Sequence, residues 1–209
     1  MGAHPRRPHG AVRLASLGVA LVTGATLLTG WSPGGATGRA APSPSPSASA
    51  DELPTLKKGK TLKVRTAPVE ILDVPASTAE VTLTDLKQAD RLPQGEFIDP
   101  EVAEPGTTFV CLEFKVENVS DEDFDTAFLS RARWTGKDGE TTKVDQEIGG
   151  NCAGVGLAEE NLLTEPDPRP GEFVRGTTVL EVPDDQPGVL EFADASEHPL
   201  FKVETTASR

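Results

Sequence analysis

From Thr107 to Val119 the chain alternates. Val110, Leu112, Phe114 and Val116 fall on one face of an extended segment, and Cys111, Glu113, Lys115 and Glu117 fall on the other. That period predicts a β-strand over Thr107–Asn118 with one face against a core and the other in water, as found in antiparallel sheets of two-layered domains. Seven more short segments carry strand-forming residues between turn residues: Val69–Val74, Glu80–Leu86, Phe128–Thr135, Thr141–Asp145, Gly176–Val182, Val189–Phe192 and Leu200–Glu204. Strands at this spacing predict an all-β sandwich. Its core should be Val110, Leu112, Phe114, Val116, Phe128, Trp134, Val174, Leu180, Val182, Leu190, Phe192 and Phe201, although Trp134 borders the Gly136 turn and a surface position is the alternative for it.

Two turns anchor this reading. Trp134-Thr-Gly-Lys-Asp-Gly139 joins Phe128–Thr135 to Thr141–Asp145, because Asp-Gly tolerates the positive φ of a hairpin. Arg169-Pro-Gly-Glu172 leads into a strand on which Val174, Gly176, Thr178, Leu180 and Val182 share a face, and Pro183 stops that strand. No stretch of ten or more residues has a clear 3.6 period, and Gly156 to Leu163 is the one place where a short helical turn is expected.

In order, Phe109 to Val116 leading into Asn118-Val-Ser-Asp-Glu122, the Asp138-Gly139 hairpin, Pro170-Gly-Glu-Phe-Val-Arg-Gly-Thr-Thr-Val-Leu-Glu-Val-Pro183 and Leu190-Glu-Phe192 resemble a family of bacterial exported lipoproteins and secreted proteins. Some of its members bear the name of a telomeric-repeat-binding factor, and the mycobacterial immunoprotective extracellular antigen has a similar fold. The resemblance runs from about Thr61 to Glu204 and lies in structural motifs. It implies an immunoglobulin-like antiparallel β-sandwich in or outside the cell envelope, and it carries over no catalytic residue.

Charge divides the chain. The first fifty residues hold Arg6, Arg7, Arg13 and Arg39 and none of the 33 acidic residues, so the remainder is more negative than the net −13 of the whole. Arg6, Arg7 and Arg13 followed by the apolar Leu14 to Leu28 read as a secretory signal with a cleavage point after Ala40, or after Ala36. The apolar run is shorter than a spanning helix needs. Leu27-Leu-Thr-Gly-Trp31 has the outline of a lipobox with Trp31 in the place of the lipidated cysteine, by chance or by loss of an ancestral cysteine, so no stable membrane anchor is expected after cleavage. Ala41-Pro-Ser-Pro-Ser-Pro-Ser-Ala-Ser-Ala50 has nothing to bury. The expected organisation is therefore a signal peptide at 1–40, a disordered Pro/Ser/Ala-rich linker at 41–60 and the sandwich at 61–205, in a protein secreted to the cell wall or beyond.

Export decides the thiols. Two cysteines remain after processing, and in an oxidising compartment Cys111 should bond Cys152, closing a loop of about 42 residues. Cys111 lies on the face opposite Val110 and Leu112, so the bond should pin the glycine-rich loop Gly149-Gly-Asn-Cys-Ala-Gly154 across the outside of a sheet, unlike the inter-sheet bridge of antibody domains.

The inventory for chemistry is thin. There is no Tyr, and His198 is the one histidine outside the leader; it lacks a Gly-x-Ser-x-Gly partner and should be an exposed or edge residue near Asp194 and Glu197. Asp121, Asp123 and Asp125 begin like a calcium loop, but Thr126 and Ala132 stand where Gly and Glu are required. Zinc ligand sets cannot be assembled, and Glu159-Glu160 and Asp184-Asp185 point apart on a regular backbone. No catalytic, cofactor-binding or metal residue is expected, and no enzyme. Asn118-Val-Ser120 matches a glycosylation sequon, with Asn118 serving the turn. Lys57, Lys58, Lys60, Lys63 and Arg65 form a basic stripe without aromatic residues in an acidic domain, which reads as a solvated segment and excludes nucleic acid as partner. What remains is a non-catalytic binding module toward an unknown envelope or extracellular partner, with a spacer as the alternative, and the loop from Gly149 to Glu165 as the place for a site.

Overall fold

Strands β1 (Lys60–Arg65), β2 (Thr78–Ala89), β5 (Thr107–Asn118) and β8 (Phe173–Pro183) form one antiparallel sheet in the order β1-β2-β5-β8. Strands β6 (Arg131–Gly136), β7 (Thr141–Asp145), β9 (Gly188–Ala193) and β10 (Pro199–Thr205) form the second, in the order β10-β9-β6-β7. A small hairpin of β3 (Arg91–Leu92) and β4 (Glu101–Val102) stands in the β2–β5 connection. The computed structural model describes residues 52–208 except 73, 95, 97 and 147–150. The signal segment, the Trp31 motif and the Pro/Ser repeat lie outside the described residues, as do Gly149 and Gly150.

The period-2 face of β5 does what its pattern predicts. Val110, Leu112, Phe114 and Val116 are fully buried, and β5 is laddered to β2 on one side and to β8 on the other along its length. Phe114 meets Phe192 of β9 and Phe201 of β10 edge-on, at ring-centroid distances of 6.0 and 6.5 Å. Phe192 and Phe201 stack at 5.1 Å, and Phe128 and Phe124 extend the chain of rings. Rings in these geometries add to the area that they bury. Every residue expected in the core is buried.

Trp134 is wholly enclosed, and its indole Nε1 donates to Thr205 Oγ1 at 3.3 Å. Gly188 makes room for it: a Cβ there would stand 2.3 Å from the indole ring. The Asp138-Gly139 turn forms as its sequence predicts, with Gly139 at φ 88° and Asp138 Oδ1 accepting from Glu140 N.

Four expectations change. The basic stripe is in large part edge strand β1: Val64 is buried and Leu62 packs on the core, while Lys60, Lys63 and Arg65 face water. Charged side chains on an exposed edge discourage pairing with other chains, so the stripe has a structural use. The domain also begins before residue 61, because Leu56 is buried and the backbone of 54–56 bonds Lys202 of β10. Val69–Val74 is no strand; Val69 and Val74 bond each other across a 3-10 turn at Glu70–Leu72, and Pro68 and Pro75 bar ladder hydrogen bonds at both ends. Phe128 likewise lies in a 3-10 turn, Ala127–Ser130, and β6 begins after it.

Truncating Phe114 to Ala should cost about 3–5 kcal/mol in urea unfolding, because the ring touches both aromatic partners of the second sheet and its removal leaves a cavity that the sheets cannot close. A loss below about 1 kcal/mol would show that the face assignment is wrong.

Candidate binding loop over the outer sheet face

The alternation of β5 places Cys111 and Glu113 in water, and here the fold departs from it. Cys111 and Glu113 are 1% and 3% exposed, and Phe109 is as buried as the core, so β5 is covered on both faces along this stretch. The cover is the segment that follows β7. Cys152 bonds Cys111 with the Cα atoms 5.9 Å apart, a spacing ordinary for a disulfide. A 3-10 turn at Cys152–Val155 follows, capped by Asn151, whose side chain accepts from Ala153 N at 2.7 Å. Cys111, Cys152, Phe109, Leu92 and Val179 form a second apolar cluster on the outside of the sheet, with Val155 and Leu157 packed on it. The helical turn expected at Gly156 to Leu163 thus sits a few residues earlier. Gly156, at φ 86°, ends it.

The segment then rounds the free edge of β8. Thr177 N donates to Glu160 O at 2.7 Å and Leu162 N to Thr177 O at 3.0 Å, so Glu160 to Leu162 runs parallel to β8 as a short added strand. Leu162 enters the main core, close against Gly176, where a Cβ would lie 3.0 Å from Glu160 O. Glycine at 176 is therefore what lets this backbone approach. Gln146, at the end of β7, bridges to Leu180 and covers more of the same edge. Both devices remove an open strand edge.

Glu113 is the polar centre of the cover. Its Oε1 accepts from Thr84 Oγ1 at 2.6 Å and from Arg175 Nε and Nη2 at 3.0 and 2.5 Å, and its Oε2 accepts from Ala158 N at 2.7 Å. Burial pushes this carboxyl up, but the hydrogen bonds from Thr84, Arg175 and Ala158 together with the guanidinium charge outweigh it and hold the group below the ordinary 4.5 of glutamate. An ionised carboxylate with both oxygens engaged is a poor proton acceptor at neutral pH; its chemistry here is to hold a loop. Glu113, Gly156, Leu157, Ala158, Glu160 and Arg175 line a shallow hollow above it. Glu159, Glu160 and Leu163 face solvent, Leu163 at 54%.

The other candidates are dispersed. His198 is exposed at the β9–β10 turn with Nδ1 3.6 Å from Asp194 Oδ1. Asp194 is buried and accepts from Ala67 N, Ser196 N and His198 N at 2.8, 2.9 and 3.0 Å. Burial pushes the Asp194 carboxyl up, yet the three amides and His198 hold it below 3.8. Asp121, Asp123 and Asp125 are exposed, with Asp125 capping Ala127 N, and among the described residues no three His, Cys, Asp or Glu side chains are grouped as a metal site. Glu159 and Glu160 are both exposed, whereas Asp184 is buried and Asp185 exposed. Asn118 is 1% exposed; its amide donates to Glu122 O and Pro168 O, and its Oδ1 accepts from Ser120, so the sequon asparagine is a buried brace. Sequence reasoning missed Glu113, Arg175 and Asp194. The available signal was the face of the strand read as water-facing, on which the apolar Phe109 and Cys111 come before Glu113.

No family model matches the chain, and no curated protein matches it. Among solved structures it is similar to an uncharacterized β-sandwich protein from Clostridium difficile, at 12% identity and TM-score 0.45 over 78% of this chain and 100% of that one. It is similar to the yjhA protein from Bacillus subtilis, at 12% identity and TM-score 0.40 over 73% of this chain and 98% of that one. A ycdA chain from Bacillus subtilis, described as a lipoprotein, aligns at 10% identity and TM-score 0.40 over 63% of this chain and 37% of its own. The solved neighbours are thus bacterial β-sandwich proteins, a coarser statement than the exported family that the sequence resembles. At these scores they carry no argument about a ligand.

Removing the bond with the pair Cys111→Ala and Cys152→Ala should lower stability by about 4 kcal/mol on the chain-entropy account. Denaturant unfolding measures it, and non-reducing peptide mapping that finds both thiols free in the wild type would refute the pairing.

Acid should release the cover. Glu113 is more acidic in the folded chain than in the unfolded one, so its stabilisation is complete above the ordinary 4.5 and is lost as pH falls through the depressed folded value. Urea midpoints measured from about pH 5 down to about pH 2 should fall less steeply for Glu113→Gln than for the wild type. Equal slopes would show that Glu113 does not carry this linkage.

Proposed function

We propose that this sandwich is an exported, non-catalytic binding module whose partner, in the cell envelope or outside it, is met by the segment 153–163. The observation that supports this most is the fixing of that segment: a disulfide, the buried Glu113, two backbone bonds to Thr177 and the inserted Leu162 hold it, while Glu159, Glu160 and Leu163 are presented outward. Long loops that are ordered at this cost are more often functional than short connections are. Export is supported by the Cys111–Cys152 bond, which persists in oxidising compartments, and by the leader pattern of the first forty residues. No helix among the described residues is long and apolar enough to cross a membrane. The non-catalytic reading is supported by the shifted carboxylates Glu113 and Asp194, whose acceptor capacity is engaged by backbone and side-chain donors.

Affinity capture from envelope extracts tests the proposal, comparing the wild-type domain with Glu159→Lys, Leu163→Ser. These positions are exposed, so the fold should survive; deletion of Val155 to Leu163 would instead pull Leu162 from the core. A specific partner held by the wild type and lost in the double variant is the expected result. A partner that is retained unchanged would discard this loop as the site, and no specific partner would favour a spacer domain.

A further inference from the structure

The second sheet has a hollow of its own, on the side away from the core. It measures about 430 Å³ and is lined by Arg131 and Arg133 of β6, Lys143 of β7, Glu191 and Ala193 of β9 and, at the β9–β10 turn, Glu197. The size is within the range of small-molecule sites. The register explains how it is charged. Arg133 stands opposite Lys143 on one side and Glu191 on the other, and Arg131 stands opposite Asp145. Like charges directly opposed across strands are unfavourable. The inner face of β6 is Ala132 and Trp134, so both arginines stand on the outer face, where Asp145 and Glu191 opposite them are the favourable cross-strand neighbours and Lys143 the unfavourable one.

Charges of both signs line this hollow without satisfying each other. Among the described residues, Arg131, Arg133, Glu191 and Glu197 form no ion pair within 4.0 Å and no side-chain hydrogen bond, although the chain has 33 acidic residues to offer its cations. Lys143 lies 3.7 Å from Asp145, with both side chains largely exposed. Asp194, also at the rim, is committed to three backbone amides. That commitment braces the turn which carries Glu197, the one non-glycine residue of positive φ, 61°, among the described residues. The alanines at 193 and 195 leave the floor low. Within the lining the cations therefore stand on the β6–β7 side and the carboxylates Glu191 and Glu197 on the β9 side and its turn; Lys202 of β10, opposite Glu191 on its other side, lies outside the lining and pairs with Glu52.

We propose that this hollow binds a small zwitterion of the amino-acid or short-peptide class, its carboxylate held by Arg131 and Arg133 and its ammonium by Glu197 and Glu191. Guanidinium groups match a carboxylate in a planar fork, and the long-range field decides between ligand classes. A domain this acidic repels a free anion before contact, whereas a ligand without net charge meets no such barrier. The site is on the opposite sheet from the 153–163 loop, so it stands or falls independently of the loop reading.

The test is an NMR titration of the intact domain with alanyl-alanine at constant ionic strength, with N-acetyl-alanine and alaninamide as the two arms that each lack one charge. Saturable shifts confined to the amides of 131–133, 143 and 191–197 are expected with the dipeptide, and binding about tenfold weaker or worse in either blocked arm. Arg133→Gln and Glu197→Gln should each weaken the dipeptide by a similar factor and leave the thermal midpoint unchanged, since both side chains are solvent-exposed. Glu159→Lys should leave it untouched. No saturable shift, equal binding of N-acetyl-alanine, or full binding by both Gln variants would overturn the proposal.

Discussion

The structure depends on a strand that needs two covers. β5 is flanked by β2 and β8 within its sheet and is buried on both faces from Thr108 to Phe114. The second sheet supplies the inner cover through Phe192 and Phe201. The outer cover is a loop, and a loop has neither a ladder along its length nor a large apolar face to hold it. The Cys111–Cys152 bond supplies what it lacks, removing chain entropy from the unfolded state at the point where Leu92, Phe109 and Val179 need shielding from water.

Glu113 makes the arrangement specific. Burying an ionised carboxylate in an apolar cluster is costly unless each oxygen finds donors, and here the donors come from three separate elements: Thr84 of β2, Arg175 of β8 and the amide of Ala158 in the loop. Thr84 is available because β2 shifts register between Leu83 and Asp85, which places an extra residue opposite Glu113. A loop displaced by one residue would leave the carboxylate short of the Ala158 amide. The ion pair therefore selects one seating of the loop more than it adds net stability.

The same device recurs at the ends of the sandwich. Asn118 closes the exit of β5 by bonding Glu122, Ser120 and Pro168, while Asp194 ties the β9–β10 turn to Ala67 in the segment after β1. In each case one buried polar side chain collects backbone groups that no ladder can satisfy, and the turn is rigid as a result. Rigid turns around an acidic sandwich are a scaffold on which surface charges keep fixed relative positions.

The sequence alone determined the all-β architecture, β5 and β7 to the residue, the core list except the placing of Trp134, the Asp138-Gly139 hairpin and the pairing of Cys111 with Cys152. These were legible because hydrophobic period, positive-φ turns and cysteine number are local or composition-level signals. Only the tertiary structure decided that Glu113 is buried, that Lys60–Arg65 is an edge strand and that Val69–Val74 is a closed turn. The pattern Glu113-Phe-Lys115 reads the same whether a loop lies over it or water does. The hollow between Arg133 and Glu197 was equally hidden, because strand register and a brace from Ala67 to Asp194, far apart in the chain, are what bring its two sides together.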